Sequence, residues 1–412
     1  MIHLQMHPLL CCLLLFVSLA ASSAMAVEGV EAMSATAPHN NPVAALRATR
    51  SVPTNRKTPL IIGYSHDPLS GKVEQAILDG VDVVIWSFLH FEMQPSSDDA
   101  SRKKAGGIRT DLDLGGIRRL QQKHVHVVHL AAFGGWNGPH PPAELDGRAW
   151  CRVFLEYNAA HGHVFDGVDW DFEGHDDVQS PTSKFTMATL DIMADFSVEA
   201  KKHGLIVSMA PAESYLDAAA EGGGVDARFS LDLGLPPRAW TSGPHAADDD
   251  KHLIEANGFR HAGRQCYAYV LQRAGVETFD WISVQLYEAY SPFAHDVGRR
   301  QRPQREALMT RVAGLVGGYT VTHLPPDKSE YVVRVPPSKV VLGIANQWAD
   351  GVKFCRVDPS AMREAYEATA ARYGEGFLGT MFWTIEEEGP EEESRLARLL
   401  RKEFTAECLE VT

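Results

Sequence analysis

His163–Glu173, HVFDGVDWDFE, is followed by SKFTMATLDIMADFSVEAKKHG (183–204), and this pair decides the fold. The first stretch is short, rich in valine and aromatic residues, and alternates apolar with polar positions, as a strand does. The second repeats apolar residues at three- and four-residue steps, carries Lys201 and Lys202 in its last turn and stops at Gly204, as a helix does. The same unit recurs along the chain. Strand candidates are LIIGY (60–64), VDVVIWSFLHF (81–91), VHVVHLAAF (125–133), LIVSMAPA (205–212), WISVQLY (281–287), KVVLGIA (339–345) and FLGTMFWTI (377–385). Amphipathic segments such as LGGIRRLQQKH (114–124) lie between them. Strand–helix alternation implies a parallel sheet, and eight units predict an α/β protein built as a closed (β/α)8 TIM barrel. The doubly wound alternative lacks its phosphate fingerprint, since no GxGxxG or GxxxxGK[ST] follows a strand.

Length alone, 412 residues, allows two or three domains at ~150 residues each. The strand count reduces this to one barrel over residues 59–405. Two segments, 216–278 and 288–338, are longer than barrel loops usually are, and each is expected to hold a helix plus extra loop. Residues 1–26 read as a signal peptide: an apolar run from Leu9 to Ala21 ends in Ala24-Met25-Ala26, although His3 and His7 stand where basic residues are usual. Residues 27–58, rich in Ala, Thr, Pro, Asn and Ser, read as a flexible N-terminal segment. A secreted, extracellular protein follows, with no integral membrane segment in the mature chain. Cys151, Cys266, Cys355 and Cys408 would then be free to form two disulfides of open connectivity.

Lys and Arg total 39 against 53 Asp and Glu, a net charge of −14, which argues against nucleic acid or an anionic membrane as partner. The 45% hydrophobic and 22% charged content excludes wholesale disorder. The histidines show no HExxH-like spacing and the cysteines no zinc spacing, so neither a metal nor any other cofactor is expected. A monomer is expected.

On a strand, alternate residues share a face. Asp169, Asp171 and Glu173 therefore point one way, and Val168, Trp170 and Phe172 the other. The apolar set suits the sheet–helix layer, which turns the three carboxylates into the barrel with Glu173 nearest the C-terminal mouth. Barrel interiors ordinarily favour branched apolar residues. Carboxylates stacked so closely cannot all ionise, and the shared proton can keep a glutamic acid protonated for general acid work. A divalent-cation site or an acidic exposed strand would carry the same letters.

DGVDWDFE resembles the DxxDxDxE signature of family 18 glycoside hydrolases, the chitinases and endo-β-N-acetylglucosaminidases, at all four acidic positions, Asp166, Asp169, Asp171 and Glu173. LAAFGGWNG (130–138) is similar to the third-strand SxGG segment, VSMAPA to the fifth strand, VQLYEAY to the sixth and GTMFWTI to the eighth, so the likeness spans roughly residues 59–403. It implies a hydrolase of β-1,4-linked N-acetylglucosamine (GlcNAc) in chitin or chitooligosaccharides, in which the substrate's own acetamide serves as nucleophile and forms an oxazolinium ion. Glu173 would protonate the glycosidic oxygen and then activate water. Asp171 would orient the acetamide N–H, and Asp169 would exchange a proton with Asp171. Asp166 would hold the strand end. Tyr287 would hydrogen-bond the acetamide carbonyl, with Gln285 on the same face. Trp383 would floor the sugar site, and Trp136, after Gly134 and Gly135, could stack on a neighbouring sugar. Met209 would line the pocket wall, and Tyr64 and Phe88 would be inward aromatics. The same strand would serve cleavage of N-glycan cores, and a chitin lectin could share the barrel.

Two departures stand out. The serine of SxGG is Ala132 here. In the family that serine, with a tyrosine matched by Tyr64, holds the acid at Asp169, so its loss is expected to raise that carboxyl's pKa. Trp348–Gly376 leaves room for little beyond one helix where many processive chitinases carry an α+β insertion, implying a shallower groove and endo cleavage.

Overall fold

A computed structural model describes residues 58–95, 104–177, 180–218, 227–231, 263–287, 291–298, 300–349, 351 and 354–405. The signal peptide, nearly all of the N-terminal segment, Cys408 and much of 216–278 lie outside these residues. The strands are β1 (Leu60–Ser65), β2 (Val83–Pro95), β3 (Lys104–Arg109), β4 (Val128–Gly135), β5 (Gly167–Phe172), β6 (Ile206–Met209), β7 (Trp281–Gln285), β8 (Tyr319–Leu324), β9 (Ser329–Val333), β10 (Val340–Ala345) and β11 (Gly379–Trp383). Eight of them run parallel in the order β1-β2-β4-β5-β6-β7-β10-β11, and β11 pairs back onto β1. The sheet is closed: this is a (β/α)8 barrel.

Helices α1 (Lys72–Leu78), α2 (Leu114–Lys123), α3 (Gly147–Ala160), α4 (Met187–Lys202), α5 (Cys266–Ala274), α6 (Pro292–Gly298), α7 (Gln304–Gly317), α8 (Pro359–Tyr373) and α9 (Leu396–Thr405) are described between and after the strands. None of them is long and apolar enough to cross a membrane. The start of α4 is set by Thr186, whose hydroxyl accepts the Thr189 N–H at 3.1 Å. Its buried face includes Leu190, Met193, Phe196 and Ala200, the spacing expected of a helix lying on a sheet. The seam beside β1 is fastened by α9: Arg401 donates to Asp82 at 2.7 Å and to the Gly80 carbonyl at 2.6 Å.

Two elements depart from the strand–helix pattern. β2 runs past the barrel and pairs antiparallel with β3, a strand that the eight-unit reading did not contain. The segment 288–338 holds α6, α7 and the antiparallel hairpin β8–β9, rather than one helix and loop. Its strands are short and half-exposed, so they lack the continuous apolar run of a barrel strand. Between β10 and β11 the described residues hold α8 alone, as the length suggested.

The barrel interior is divided along its axis. Towards the N-terminal ends of the strands, Leu60, Ile62, Val83, Val128 and Trp281 make an apolar plug. Above it the inward positions turn polar with Tyr64, Asp169, Ser208 and Gln285. The charged layer therefore lies at the C-terminal mouth, where barrels carry their chemistry.

Candidate active site

Strand β5 places the acids. Val168, Trp170 and Phe172 pack outward, where the Trp170 indole donates to Ser197 of α4 at 2.8 Å and lies edge-on to Phe196 with ring centres 4.9 Å apart. The opposite parity puts Asp169 and Asp171 inside, and Glu173 follows just past the strand end. All three are buried, at 0%, 2% and 6% exposure, so each ionised form loses most of its hydration. Asp166 stands at the other end of β5, where its carboxylate accepts the His129 N–H at 2.9 Å and ties β5 to β4.

Burial pushes the Glu173 carboxyl up to about 7, against the lowering effect of hydrogen bonds with Gln285 and Asp171. It also raises Asp169 to about 6, against two donated hydroxyl hydrogen bonds. The column thus keeps a proton up to about neutrality, held at its top by Glu173. Gln285 bridges the column from β7, donating to Asp171 at 2.7 Å, to the Ala210 carbonyl at 2.7 Å and more distantly to Glu173 at 3.4 Å.

Asp169 is gripped from both sides. Tyr64 donates to its Oδ2 and Ser208 to its Oδ1. The Tyr64 phenol is itself held well above its usual pKa, first by burial and then by the charge of Asp169. Ala132 lies beside Asp169 on β4, in register, and offers no hydroxyl. The loss expected from Ala132 is thus made good from β6, because Ser208 is the register partner of Asp169 on that side.

That pairing also corrects the role expected of Met209. Ser208 and Ala210 face the interior, whereas Met209 is buried in the outer layer beside its register partner Trp170. A shift of one residue exchanges the two faces of a strand. The sequence signal for Ser208 was this parity alone.

Aromatic residues surround the acids. Trp383 lies half-exposed at the end of β11, with its ring centre 5.4 Å from Tyr64 and 5.6 Å from Phe88, the latter nearly parallel. Tyr287 joins Trp383 and Ala345 in a small cluster at the mouth. Tyr64 is 1% exposed, which leaves its ring packed against Trp383 and its hydroxyl committed to Asp169. Trp136 is half-buried and its indole donates to Asp176 at 2.9 Å, while Asn137 reaches the same carboxylate at 2.8 Å. Gly134 and Gly135 have φ of +124° and +83°. A Cβ on Gly134 would come within 2.3 Å of the Asp171 carbonyl oxygen, and one on Gly135 within 2.4 Å of the Phe88 ring. The glycines let β4 approach the acids and admit the Phe88 ring.

Three further residues at the site had no sequence signal. His140 lies between the Phe172 and Phe185 rings, with its Nε2 2.9 Å from the Glu173 carbonyl oxygen. Burial lowers its pKa to about 4, so it is neutral when it braces that backbone. Tyr267 of α5 donates to the Phe172 carbonyl at 3.0 Å from outside the barrel. Trp348, past β10, stands edge-on to Tyr287 with ring centres 5.8 Å apart and meets Phe354 on its other side. Cys151, Cys266 and Cys355 are free thiols, which removes the disulfides expected among them. Burial raises the first and third to about 12 and about 11, leaving them inert at neutral pH.

No protein-family profile and no curated protein sequence matches the chain. Among solved structures it is similar to a family 18 chitinase from Pseudoalteromonas aurantia, at 16% identity over 84% of this chain and 99% of that one, with a TM-score of 0.44. It is similar also to a fungal family 18 endo-β-N-acetylglucosaminidase, at 14% identity, the same coverage and a TM-score of 0.48. Concanavalin B matches at 13% identity, 84% and 99% coverage and a TM-score of 0.43. These are likenesses of fold, and the strand order and register establish the barrel without them.

Proposed function

We propose that this protein is a secreted glycoside hydrolase of the family 18 type, cleaving β-1,4-linked GlcNAc with retention of configuration. The observation that carries the reading is Glu173, a buried glutamic acid raised to about 7 at the barrel mouth and hydrogen-bonded to Asp171 beneath it. A group titrating there is protonated below neutrality and can both give and take a proton near it. The apolar leader Leu9–Ala21, with Ala24-Met25-Ala26 after it, supports the secretory part.

Glu173 donates its proton to the glycosidic oxygen as that bond breaks. The acetamide oxygen of the same sugar attacks its anomeric carbon and closes a cationic oxazolinium ring. Asp171 accepts the acetamide N–H and stabilises the positive charge, while Tyr287 donates to the acetamide carbonyl and orients it. Asp169 shares a proton with Asp171, so the column loses little charge balance as the cation forms. Glu173, now ionised, takes a proton from water, which attacks the anomeric carbon from the face that the leaving group vacated. Because the nucleophile belongs to the substrate, its proximity is supplied by binding. Trp383 offers the ring face on which that sugar rests.

The test is product analysis on GlcNAc oligomers with the wild type and Glu173→Gln. The expected result is a β-anomer released first by the wild type and none by the variant. An α-anomer released first overturns acetamide participation. Cleavage of a high-mannose glycopeptide without cleavage of the oligomers reassigns the substrate to N-glycan cores. Binding without turnover in the wild type leaves a lectin.

A further inference from the structure

The hydroxyl that grips Asp169 comes from an unexpected strand. Ala132, Asp169 and Ser208 lie side by side on β4, β5 and β6, all facing inward at one level of the barrel. Ser208 is fully buried, and its hydroxyl donates to Asp169 Oδ1. Tyr64 from β1 takes Oδ2. Asp171 and Glu173 stand above on the same strand, Gln285 of β7 reaches both, and the other ionisable groups around them among the described residues include Tyr287, Tyr267 and the buried, neutral His140. The two oxygens of Asp169 are therefore each held by a hydroxyl.

We propose that Ser208 is a positioning residue of the acidic column, holding Asp169 from β6 in place of a hydroxyl at Ala132 and setting how readily Asp169 gives up its proton. A serine hydroxyl is suited to this because it is donor and acceptor at once. It donates to Asp169 when the carboxyl is ionised, and it rotates to accept when Asp169 carries the proton. An alanine serves neither state. A donor to the carboxylate also lowers its pKa and so opposes burial. The kinetic consequence rests on the hydrolase reading, whereas the effect on Asp169 itself does not.

The test uses Ser208→Ala and the double variant Ala132→Ser/Ser208→Ala, which moves the hydroxyl across Asp169 to β4. Carbon-13 NMR titration of the aspartate carboxyls, assigned with Asp169→Asn, reads Asp169 directly. The pH dependence of kcat on GlcNAc oligomers reads its effect on turnover. In Ser208→Ala the Asp169 midpoint should rise by about one pH unit. The acid limb of kcat should rise with it, because the Asp169–Asp171 pair must keep its negative charge, and kcat at the optimum should fall about tenfold. The double variant should return both towards the wild type. If Ser208→Ala does not fold, Ser208→Cys supplies a weaker donor of similar size and should move both in the same direction. An unmoved midpoint in a folded variant overturns the proposal, as does a double variant that restores nothing. If the wild type cleaves neither GlcNAc oligomers nor a high-mannose glycopeptide but the midpoint moves as stated, the hydrolase reading falls and the role of Ser208 stands.

Discussion

The indole of Trp348 donates to the backbone carbonyl of Trp383 at 2.7 Å, fastening the chain after β10 to the end of β11 at the barrel mouth. The same ring stands edge-on to Tyr287. One side chain thereby links Trp383 to Tyr287, the two residues proposed to floor the sugar site and to orient the acetamide. Trp348→Phe should keep the packing and lose the hydrogen bond, costing about 1 kcal/mol in thermal denaturation. Trp348→Ala should cost more, though less than the ~3–5 kcal/mol of a fully buried tryptophan. It should also lower kcat/KM on GlcNAc oligomers by at least about tenfold through the freed Tyr287. Equal kcat/KM for the two variants would show that Tyr287 is not held by this ring.

The pH behaviour of Glu173 follows from its burial. A general acid works in its protonated form, so kcat/KM should fall as pH rises through about 7. Gln285 donates to the column and lowers the Glu173 pKa, so Gln285→Leu should move that alkaline limb upward while reducing activity. Stability carries the same sign. The native state holds a proton that the unfolded chain releases near pH 4.5, so the group favours folding below that pH. This contribution is lost as pH rises through about 7. Glu173→Gln removes the buried charge and should be more stable than the wild type by about 2–3 kcal/mol at pH 8, with the difference vanishing near pH 4. Urea denaturation at the two pH values checks it.

Gly134 meets two constraints at once, a φ of +124° and a carbonyl oxygen 2.3 Å from where a Cβ would stand. Gly134→Ala should displace Asp171, lowering kcat by about 100-fold or more, since displacements of about 1 Å at a site cost that much. It should also destabilise the fold by about 1–3 kcal/mol. Wild-type activity in the variant would show that β4 can retreat from β5 without moving the acid.

The barrel and the acidic column were legible in the sequence because both rest on alternation along single strands. Val168, Trp170 and Phe172 against Asp169, Asp171 and Glu173 leave one assignment of faces. The short strand at 206–209 carries no such contrast: Val207 and Met209 are apolar, but so are Ile206 and Ala210. Met209 could therefore be assigned inward, and Ser208 was passed over. His140, Tyr267 and Trp348 reach the site from loops and a helix whose distance in the chain carries no period. The hairpin β8–β9 was hidden for a related reason, since a half-exposed ribbon lacks the apolar run that marks a barrel strand.

Behind the site, the chain after β6 is joined to that after β7 by a buried ion cluster. Arg311 of α7 pairs with Glu213 and, at 3.0 Å, with Asp296 of α6, and these three are between 1% and 4% exposed. Glu213 also accepts the Phe293 N–H at 2.8 Å and the Ser291 hydroxyl, which anchors the chain just past Tyr287. Burial raises Glu213 and the Arg311 charge opposes that rise, so the pair is balanced only while both members are present. Arg311→Met would leave Glu213 buried without the Arg311 charge, whereas Asp296 would keep Arg300 at 3.1 Å and Arg302 at 3.4 Å. Removing one partner of such a cluster costs about 3–5 kcal/mol, whereas replacing a whole cluster by apolar residues can be neutral. Arg311→Met should therefore destabilise by that amount in urea denaturation at pH 7, and less at lower pH, where protonation of Glu213, whose pKa burial raises, removes its uncompensated charge. The double variant Glu213→Leu/Arg311→Met, which leaves Asp296 on Arg300 and Arg302, should recover part of the loss. A single variant as stable as the wild type at pH 7 would mean that water reaches the cluster and replaces the cation.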